Sequence, residues 1–494
     1  MSTNESVRAD RLKKLDLIKS AGMDPYPTKV DRDMTVAEFL ADFSNLESAS
    51  NPESKKEVAL AGRIMSMRGH GAIIFADIFD GTGRVQTLIQ KGELSDEQFE
   101  LFVNAVDQGD FISAKGTAFT TQRGAQSLQV KSWTMASKSL NALPSEWYGL
   151  KDEEARYRER YVDILLNQEL RDTFIRRSKF WNTIRTFLLD QDFIEVETPV
   201  LESEPGGADA RPFMTHHNAL DIDIFLRISA GELWQKRLLV AGFPKVFEIG
   251  RIFRNEGMSA EHAQDYTQLE FYQAFSDYNE GMKMIQALYR KIATDVYGTT
   301  KFSIRGFDID LADEWTTVDY CDVIEKTYGI NPLTATDEDA AAAAKKAGVE
   351  IDKGAPNKAR IIDTLWKQIR KTLSGPAFLI GVPAYLEPLA KRSSKNREVV
   401  ERFQVLLAGS EMGKGFSELN EPLDQEERFA GQQAMRDAGD DEAQRMDEDY
   451  VHALEYGMPP AFGFGVSERL FSFLENKSIR EAQLFPLLRP KSQD

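Results

Sequence analysis

The sequence predicts an α+β protein in two main parts: a small closed β-barrel over 55–137, then a larger domain of mixed strands and helices over 153–494. Three observations carry this. The chain has 494 residues, too many for one ordinary domain. Five short β-like runs, VALAGRIMSMR, AIIFADIFD, GRVQTLIQ, DFISAKGTAF and SLQVKSWTM, lie between 57 and 135, separated by turns such as Asp80-Gly81-Thr82-Gly83 and interrupted by one helical stretch, SDEQFELFVNAV. That pattern suits a barrel of the oligonucleotide-binding kind, although a small barrel with no nucleic-acid partner shares it. Beyond 153, strands do not alternate regularly with crossover helices, which favours α+β over a doubly wound sheet.

The remaining elements follow in order. Residues 1–54 form an N-terminal helical extension, in which 6–21 read as an amphipathic helix with Leu12, Leu15 and Ile18 one turn apart and basic residues between them. A linker occupies 138–152, and a strongly helical stretch runs from about 153 to 191. KVFEIGRIFRNE (245–256) and YTQLEFYQAF (266–275) read as neighbouring strands. Residues 335–373 read as the helical part of an insertion spanning about 310–375. The acidic run in 421–450 reads as a solvated helical surface.

Composition excludes several classes. Apolar residues make up 42% and charged residues 28%, and mean hydropathy is −0.41 without an 18-residue apolar stretch, so no membrane span is expected. The start lacks an apolar signal core, and the single cysteine, Cys321, reads as a small buried residue, which fits a reducing cytoplasm. A net charge of −18 argues against non-specific duplex binding through a broad basic surface, while leaving room for a local basic face.

The chemistry gathers in 253–272. With period-two alternation, Glu248, Ile252, Arg254 and Glu256 share one strand face, and Tyr266, Gln268, Glu270 and Tyr272 share a face of the next, whereas Leu269, Phe271 and Phe275 turn the other way. A loop carrying His262 joins them, and long ordered loops are often functional. An arginine fork suits phosphate or carboxylate, Tyr266 offers a stacking plane, and Glu270 with Tyr272 can hold an ammonium. A soluble sheet edge could show the same alternation. GSEMGKGFSELN (409–420) places Glu411 and Glu418 in a glycine-rich turn, where carboxylates bind Mg²⁺ or another cation, or simply face solvent. PPAFGFGVSERLF (459–471) sets Gly463 and Gly465 ahead of Glu468 and Arg469. His216-His217 lacks metal-ligand spacing and reads as structural.

These segments carry a resemblance that covers nearly the whole chain. IEVETPVL (194–201), FRNEG with His262 and YTQLEFY, and GFGVSERL resemble the three motifs of class II aminoacyl-tRNA synthetases. GLKDEEARYRERYVD (149–163), PGGADARPFMTHHNALD (205–221), GFSELN (415–420) and DEDYVHALEYGMPP (447–460) resemble the lysyl-tRNA synthetases rather than the aspartate or asparagine enzymes.

The resemblance implies a class II antiparallel-sheet catalytic domain behind an OB-fold anticodon-binding barrel. It implies ATP-dependent attachment of L-lysine to tRNA through a lysyl-adenylate, with Mg²⁺, in a cytoplasmic homodimer formed through the first-motif region around Pro199. By the same resemblance Arg254 binds the α-phosphate and the substrate carboxylate, Glu256 contacts the adenine amino group, and Tyr266 stacks on the ring where the family usually has Phe. His262 and Arg469 hold the distal phosphates, and Glu411 binds metal. Glu232 and the Gly207 backbone take the α-amino group; Glu270, Tyr272 and Glu418 surround the ε-ammonium, and Phe416 lines the aliphatic stem. Arg68, Phe75 and Gln86 match positions that read a uridine-rich anticodon.

The chain departs from the pattern at several points. Gln404 stands where the family usually has a metal-binding glutamate, which bears on the number and tightness of Mg²⁺ sites. Lys414 replaces an asparagine beside the substrate, where its amine reaches phosphate or competes for the same carboxylates. ISAGELWQKR is one residue longer than usual, the third motif is one residue shorter before Arg469, and Gln126 replaces an acidic barrel residue. Two alternatives stand beside the lysine enzyme: a related class II synthetase of altered specificity, and a catalytically inactive synthetase-like RNA-binding protein.

Overall fold

The structure, a computed structural model, describes residues 3–47, 56–144, 149–257, 259–350, 357–437 and 443–490, in two compact units divided at Glu153/Glu154. In the first unit, β1 (Val58–His70), β2 (Ile73–Phe79), β3 (Arg84–Gln90), β4 (Phe111–Thr120) and β5 (Gln126–Ser137) close a barrel in the order β1-β2-β3-β5-β4. Alternation explains its core: Ala76, Ile78, Val85 and Ile89 point inward with Ala114, Leu128 and Val130. The Asp96–Ala105 helix, capped by the Ser95 hydroxyl, adds Phe99 and Phe102, and Phe102 meets Trp133 edge to face at 5.2 Å.

Ile18, from the Thr3–Ser20 helix, joins this core with Val36, Phe39, Phe43 and Leu46. The described part of the N-terminal extension therefore packs against the barrel, adding these side chains to its hydrophobic cluster; residues 1–2 and 48–54 lie outside the described residues. The linker begins as an anchored segment, because the buried Lys138 ammonium reaches Asp107 at 2.6 Å and Asp110 at 2.8 Å; its residues 145–148 lie outside the described residues.

The second unit contains β6 (Ile194–Glu195), β7 (Leu201–Glu202), β8 (Met214–His217), β9 (Ile222–Leu226), β10 (Lys245–Phe253), β11 (Asp265–Ala274), β12 (Lys301–Ile304), β13 (Phe307–Asp310), β14 (Thr316–Asp319), β15 (Ala377–Ile380), β16 (Arg402–Leu407), β17 (Ser410–Ser417) and β18 (Ala461–Ser467). Eight of them make one sheet, β14-β15-β16-β17-β18-β11-β10-β6, antiparallel except at the outermost pairs β10–β6 and β14–β15. One face carries Phe247, Leu269, Phe271, Phe462, Phe464 and Val466, packed against Phe180 and Ile184 of the Gln168–Leu189 helix and Ile285 and Leu288 of the Tyr278–Ile292 helix. The hydrophobic effect fixes which face this is, since a one-residue slip would turn every phenylalanine outward. The opposite face carries apolar side chains at Val246, Leu379 and Leu406 and polar ones toward its middle, on β11 and β17.

Four sequence expectations change. β10 ends at Phe253, so Arg254 and Glu256 lie just beyond it, although the Arg254 N–H still pairs with the Gln264 carbonyl at 2.8 Å. Phe275 lies past the end of β11 with φ +57° and is 80% exposed, so strand alternation does not govern it. Residues 409–420 are mostly strand: the turn is confined to Ala408-Gly409, and β17 carries Glu411. The inserted helices, Tyr320–Tyr328, Asp337–Lys346 and Lys358–Arg370, lie between β14 and β15, starting later than 310 because β13 and β14 occupy 307–319.

His216 and His217 lie on the β8–β9 surface hairpin, where His216 Nδ1 sits 3.0 Å from Asp223 Oδ1. Cys321 is buried, its thiol donating to the Gly381 carbonyl at 3.3 Å, and burial pushes its pKa up to about 12.

Candidate active site

The polar face of the sheet is set by register. Glu270 of β11 pairs with Gly465 of β18, and Tyr272 pairs with Gly463. On the other side of β18, Lys414 pairs with Gly465 and Phe416 with Gly463, so these side chains share one face. Glu411 has the wrong parity to join them. It does so because the β16–β17 ladder shifts register between Gln404 and Leu406, pairing Leu406 with Glu411 and Gln404 with Lys414. Above this floor lies a cavity of about 560 Å³. Its walls include Gly207, Glu232, Arg254, Glu256, His262 and Tyr266, and its floor and far side include Glu270, Tyr272, Gln404, Glu411, Phe416, Glu418 and Arg469. Every catalytic-domain residue given a substrate, nucleotide or metal role from the sequence thus lines one cavity.

One end is anion-seeking. The Arg254 Nε donates to the Ile228 carbonyl at 3.2 Å, and its guanidinium lies 5.9 Å from the centre of the Tyr266 ring. Arg469 starts the Arg469–Leu474 helix behind β18, and buried Glu468 fixes that junction by accepting from Gln483 Nε2 at 2.7 Å and pairing with Arg177. The Arg469 guanidinium pairs with Glu261, from the loop between β10 and β11, and Glu261 also reaches Arg305 at 2.5 Å. Against the effect of burial, these arginines hold the Glu261 carboxyl below its ordinary range. His262, next to it, is exposed, and its Nδ1 lies 2.7 Å from the Ser259 hydroxyl.

The other end is cation-seeking. Glu232, Glu270 and Glu418 are all buried. Glu270 accepts from the Ala230 N–H at 2.9 Å, from Gln268 Nε2 at 2.6 Å and from the Tyr272 hydroxyl at 3.0 Å. Ala230 is aimed there by Gly231, whose φ of +77° and approach to Thr198, only 2.0 Å from where a Cβ would stand, leave room for glycine alone. Glu418 Oε2 lies 2.6 Å from the ammonium of Lys236 as an ion pair. Neither Oε2 nor Oε1 has a partner in hydrogen-bond geometry among the described residues, Oε1 having no cation beside it either. A buried carboxylate oxygen without a donor is costly, so such an atom in a cavity marks a place for a cation. Burial, above all, raises the pKa of Glu270 to about 7 and of Glu418 to about 8; the neighbouring carboxylates add to this, and Lys236 opposes it at Glu418. Gly463 keeps the space open, since a Cβ there would stand 2.1 Å from Glu418 Oε1 and 2.5 Å from the Tyr272 ring.

An arginine-lined end and a carboxylate-lined end in one cavity fit a ligand that is anionic at one end and cationic at the other. The comparisons with known proteins decide what kind of protein carries it. The family described as tRNA synthetases class II (D, K and N) matches residues 152–489, and the OB-fold nucleic acid binding domain matches 58–136. The chain is similar to the lysine–tRNA ligase of Carboxydothermus hydrogenoformans, at 44% identity over 99% of both chains. It is also similar to those of Moorella thermoacetica (42%, 100% of both chains) and Thermotoga maritima (40%, 98% of this chain and 96% of the relative). The chain belongs to the class II lysine–tRNA ligase family.

In this synthetase Gln404 does not extend a free carbonyl into the cavity, because its Oε1 accepts from Arg402. Glu411 Oε1 accepts from Trp366 Nε1 at 2.6 Å. Lys414 neither competes for the cation-seeking carboxylates nor stands free: it pairs with Glu387 at 3.3 Å, which also holds Arg402 at 2.8 Å. In the barrel, Arg68 pairs with Phe75 across β1–β2, and Gln86 pairs with Asp77 across β2–β3, which places Arg68, Phe75 and Gln86 on one outward face. The Arg68 guanidinium lies 5.8 Å from the Phe75 ring centre. Gln126 opens β5 and is exposed.

Sequence reasoning missed Lys236, Glu261, Glu387 and Arg402. Lys236 left a signal, being four residues after Glu232 in a helical segment. Glu387 and Arg402 left none, since neither spacing nor alternation connects them with Lys414.

Proposed function

We propose that this synthetase activates L-lysine with ATP and transfers it to tRNA, with the residues of the cavity in the roles the family pattern implies. The observation that carries the reading is the buried Glu418 carboxylate with an oxygen left without a donor, opposite the arginine end of the same cavity. The ε-ammonium is placed among Glu270, Tyr272 and Glu418, with the stem on Phe416, and the α-amino group is assigned to Glu232 and the Gly207 backbone. A Cβ on Gly207 would stand 2.8 Å from the Glu232 Cβ, so this backbone and that side chain form one corner.

The first step is in-line attack of the lysine carboxylate on the α-phosphorus, which forms the acyl-phosphate bond and expels pyrophosphate. Both reactants are anionic, so the protein's task is to position them and to stabilise charge. Arg254 is assigned to the carboxylate and the α-phosphate, Arg469 and His262 to the distal phosphates, and Glu256 and Tyr266 to adenine. Since Glu261 pairs with Arg469, polyphosphate binding requires that Glu261 release this arginine or share it. The tRNA terminal hydroxyl then attacks the carbonyl of the adenylate, releasing AMP, and the barrel face with Arg68, Phe75 and Gln86 is assigned to the anticodon.

Mg²⁺ fits a supporting place. Among the described residues no group of three or more His, Cys, Asp or Glu side chains could hold a metal alone. Glu411, whose Oε1 alone has a side-chain donor, fits an ion that arrives with ATP and takes most of its ligands from phosphate and water. When bound, the ion neutralises pyrophosphate charge. Gln404, neutral and engaged by Arg402, would add at most a weak ligand. The proposal includes a cytoplasmic homodimer through the region of Pro199, where Ile194, Val200 and Leu201 are exposed.

The deciding test is amino-acid-dependent ATP–pyrophosphate exchange with Mg²⁺, run separately on each standard amino acid. Exchange with lysine alone supports the reading; exchange with another amino acid overturns the specificity, and none with any overturns catalysis.

Two further outcomes are expected. Gly463→Ala drives a methyl group into Glu418 and Tyr272, so the KM for lysine should rise about tenfold or more while that for ATP changes little. The second concerns pH. Carboxyls with raised pKa values are neutral at low pH and cannot hold an ammonium. The lysine KM should therefore be high near pH 6 and fall through the interval from about 7 to about 8 in which Glu270 and Glu418 ionise, reaching a plateau above it. Initial rates at varied lysine across this range check it; a flat profile would contradict it.

A further inference from the structure

One buried charge of the pocket has no part in the roles proposed above. Lys236, one turn after Glu232 on the Glu232–Val240 helix, is fully buried, with Nζ 2.8 Å from Glu232 Oε1 and 2.6 Å from Glu418 Oε2. The ammonium lies 5.3 Å from the Phe416 ring centre and 5.8 Å from that of Tyr272. Lys236 does not line the cavity; it stands behind the wall formed by the two carboxylates it joins. Glu270 is held differently, by the neutral donors Ala230 N–H, Gln268 and the Tyr272 hydroxyl.

The charges at this end can be counted. In the ionised forms that hold a cation, Glu232, Glu270 and Glu418 bring three negative charges, and Lys236 cancels one. Two remain, matching the two ammonium groups of lysine. A buried ion is tolerated only when paired, so a pocket with two unmatched negative charges favours a ligand that brings two positive ones.

We propose that Lys236 is a positioning residue for amino-acid selection: its ammonium fixes the carboxylates of Glu232 and Glu418 and cancels one of the three negative charges, leaving two for an amino acid that carries two ammonium groups. The inference rests on lysine being the substrate. It goes further by tying the α-amino corner and the ε-ammonium corner together through one cation that never touches the substrate.

Without that cation the pocket must find charge elsewhere. The groups that face the ammonium are Glu232 on its own helix, Glu418 after β17, Tyr272 on β11 and Tyr450 on the Glu448–Glu455 helix, with Glu270 next to them. Burial holds both tyrosine hydroxyls neutral by raising their pKa values. The carboxyls are then the groups left to take up a proton, and lysine must expel it on binding.

The test is ATP–pyrophosphate exchange at varied lysine and varied ATP for wild-type protein, Lys236→Met, Glu232→Gln and Lys236→Met/Glu232→Gln. Lys236→Met should raise the lysine KM at least about tenfold at pH 7 and leave the ATP KM within about twofold, and its lysine KM should fall over a higher pH interval than that of the wild type. Adding Lys236→Met to Glu232→Gln should cost less than about threefold, because a cation and an anion then leave together. That comparison also stands if Lys236→Met alone fails to fold, since the double variant buries less unmatched charge.

Three results would overturn the assignment: an unchanged lysine KM in Lys236→Met, an equal rise in both KM values, or effects that multiply in the double variant. Wild-type protein without lysine-dependent exchange would overturn the substrate itself. Wild-type exchange with an unaffected Lys236→Met would overturn only the role of Lys236.

Discussion

Arg254→Ala is expected to lower lysine-dependent ATP–pyrophosphate exchange by about a hundred- to a thousandfold, the scale seen when one preorganised charge-stabilising donor is removed. Arg254 stands just past the end of β10, where the pairing of its N–H with Gln264 extends the ladder and fixes its backbone. Its Nε is tied to the Ile228 carbonyl, which leaves the terminal nitrogens for the cavity. Its assigned partners, a carboxylate and a phosphate, repel each other, and a planar fork can hold both at once. Arg254→Lys keeps the charge but loses the fork, so most of the loss should remain. The substitution removes one side-chain hydrogen bond at a partly exposed position, so the melting temperature should shift by only a few degrees. Near-normal exchange in Arg254→Ala would remove this residue from the chemistry.

The barrel was legible because its strands are short, alternating and separated by glycine turns, and because alternation alone decides which side chains enter a closed core. The polar face of β11 was legible for the same reason: Tyr266, Gln268, Glu270 and Tyr272 sit two apart, and Leu269 and Phe271 pack on the other side. Phe275 failed because the strand ends before it, at a residue of positive φ, and periodicity carries no information about where a strand stops. Residues 409–420 failed for a related reason. Gly409 is a turn residue and Gly413 and Gly415 look like two more, but glycine inside a strand also marks a register shift or a close approach, and Gly415 packs against the ring of Phe403. The register shift is what puts Glu411 on the same face as Phe416, and nothing in the local pattern announces it.

The charge network behind the site was hidden more deeply. Lys414 reads as a competitor for the substrate's carboxylates only until Glu387 is seen beside it, and Glu387 comes from an irregular segment 27 residues earlier. Alternation predicts faces and helical spacing predicts neighbours one turn apart. Neither predicts which charges from distant segments meet, and those pairs decide how many negative charges remain for a substrate.

Glu418→Gln tests that remainder most directly, and its expected effect is a rise in the lysine KM of about thirtyfold or more with an ATP KM within about threefold. The substitution preserves shape, so the change is one of charge and hydrogen bonding. Glu418 serves two cations in the proposed complex: Lys236 at Oε2, and the substrate ammonium at Oε1, which has no hydrogen-bond partner among the described residues. A carboxylate can accept from both, but an amide has one acceptor oxygen and an NH₂ group that only donates. If the glutamine oxygen turns to Lys236, its NH₂ faces the substrate ammonium. If it turns to the substrate, the NH₂ faces Lys236, which is buried and retains only Glu232 as an anionic partner. Either orientation sets a donor against a cation, so no rotation restores the wild-type arrangement. ATP is assigned to the arginine end of the cavity and should be affected little. Equal rises in both KM values would mean that the ammonium site lies elsewhere, and selective loss of lysine would fix Glu418 as the anion that holds the side-chain end of the substrate.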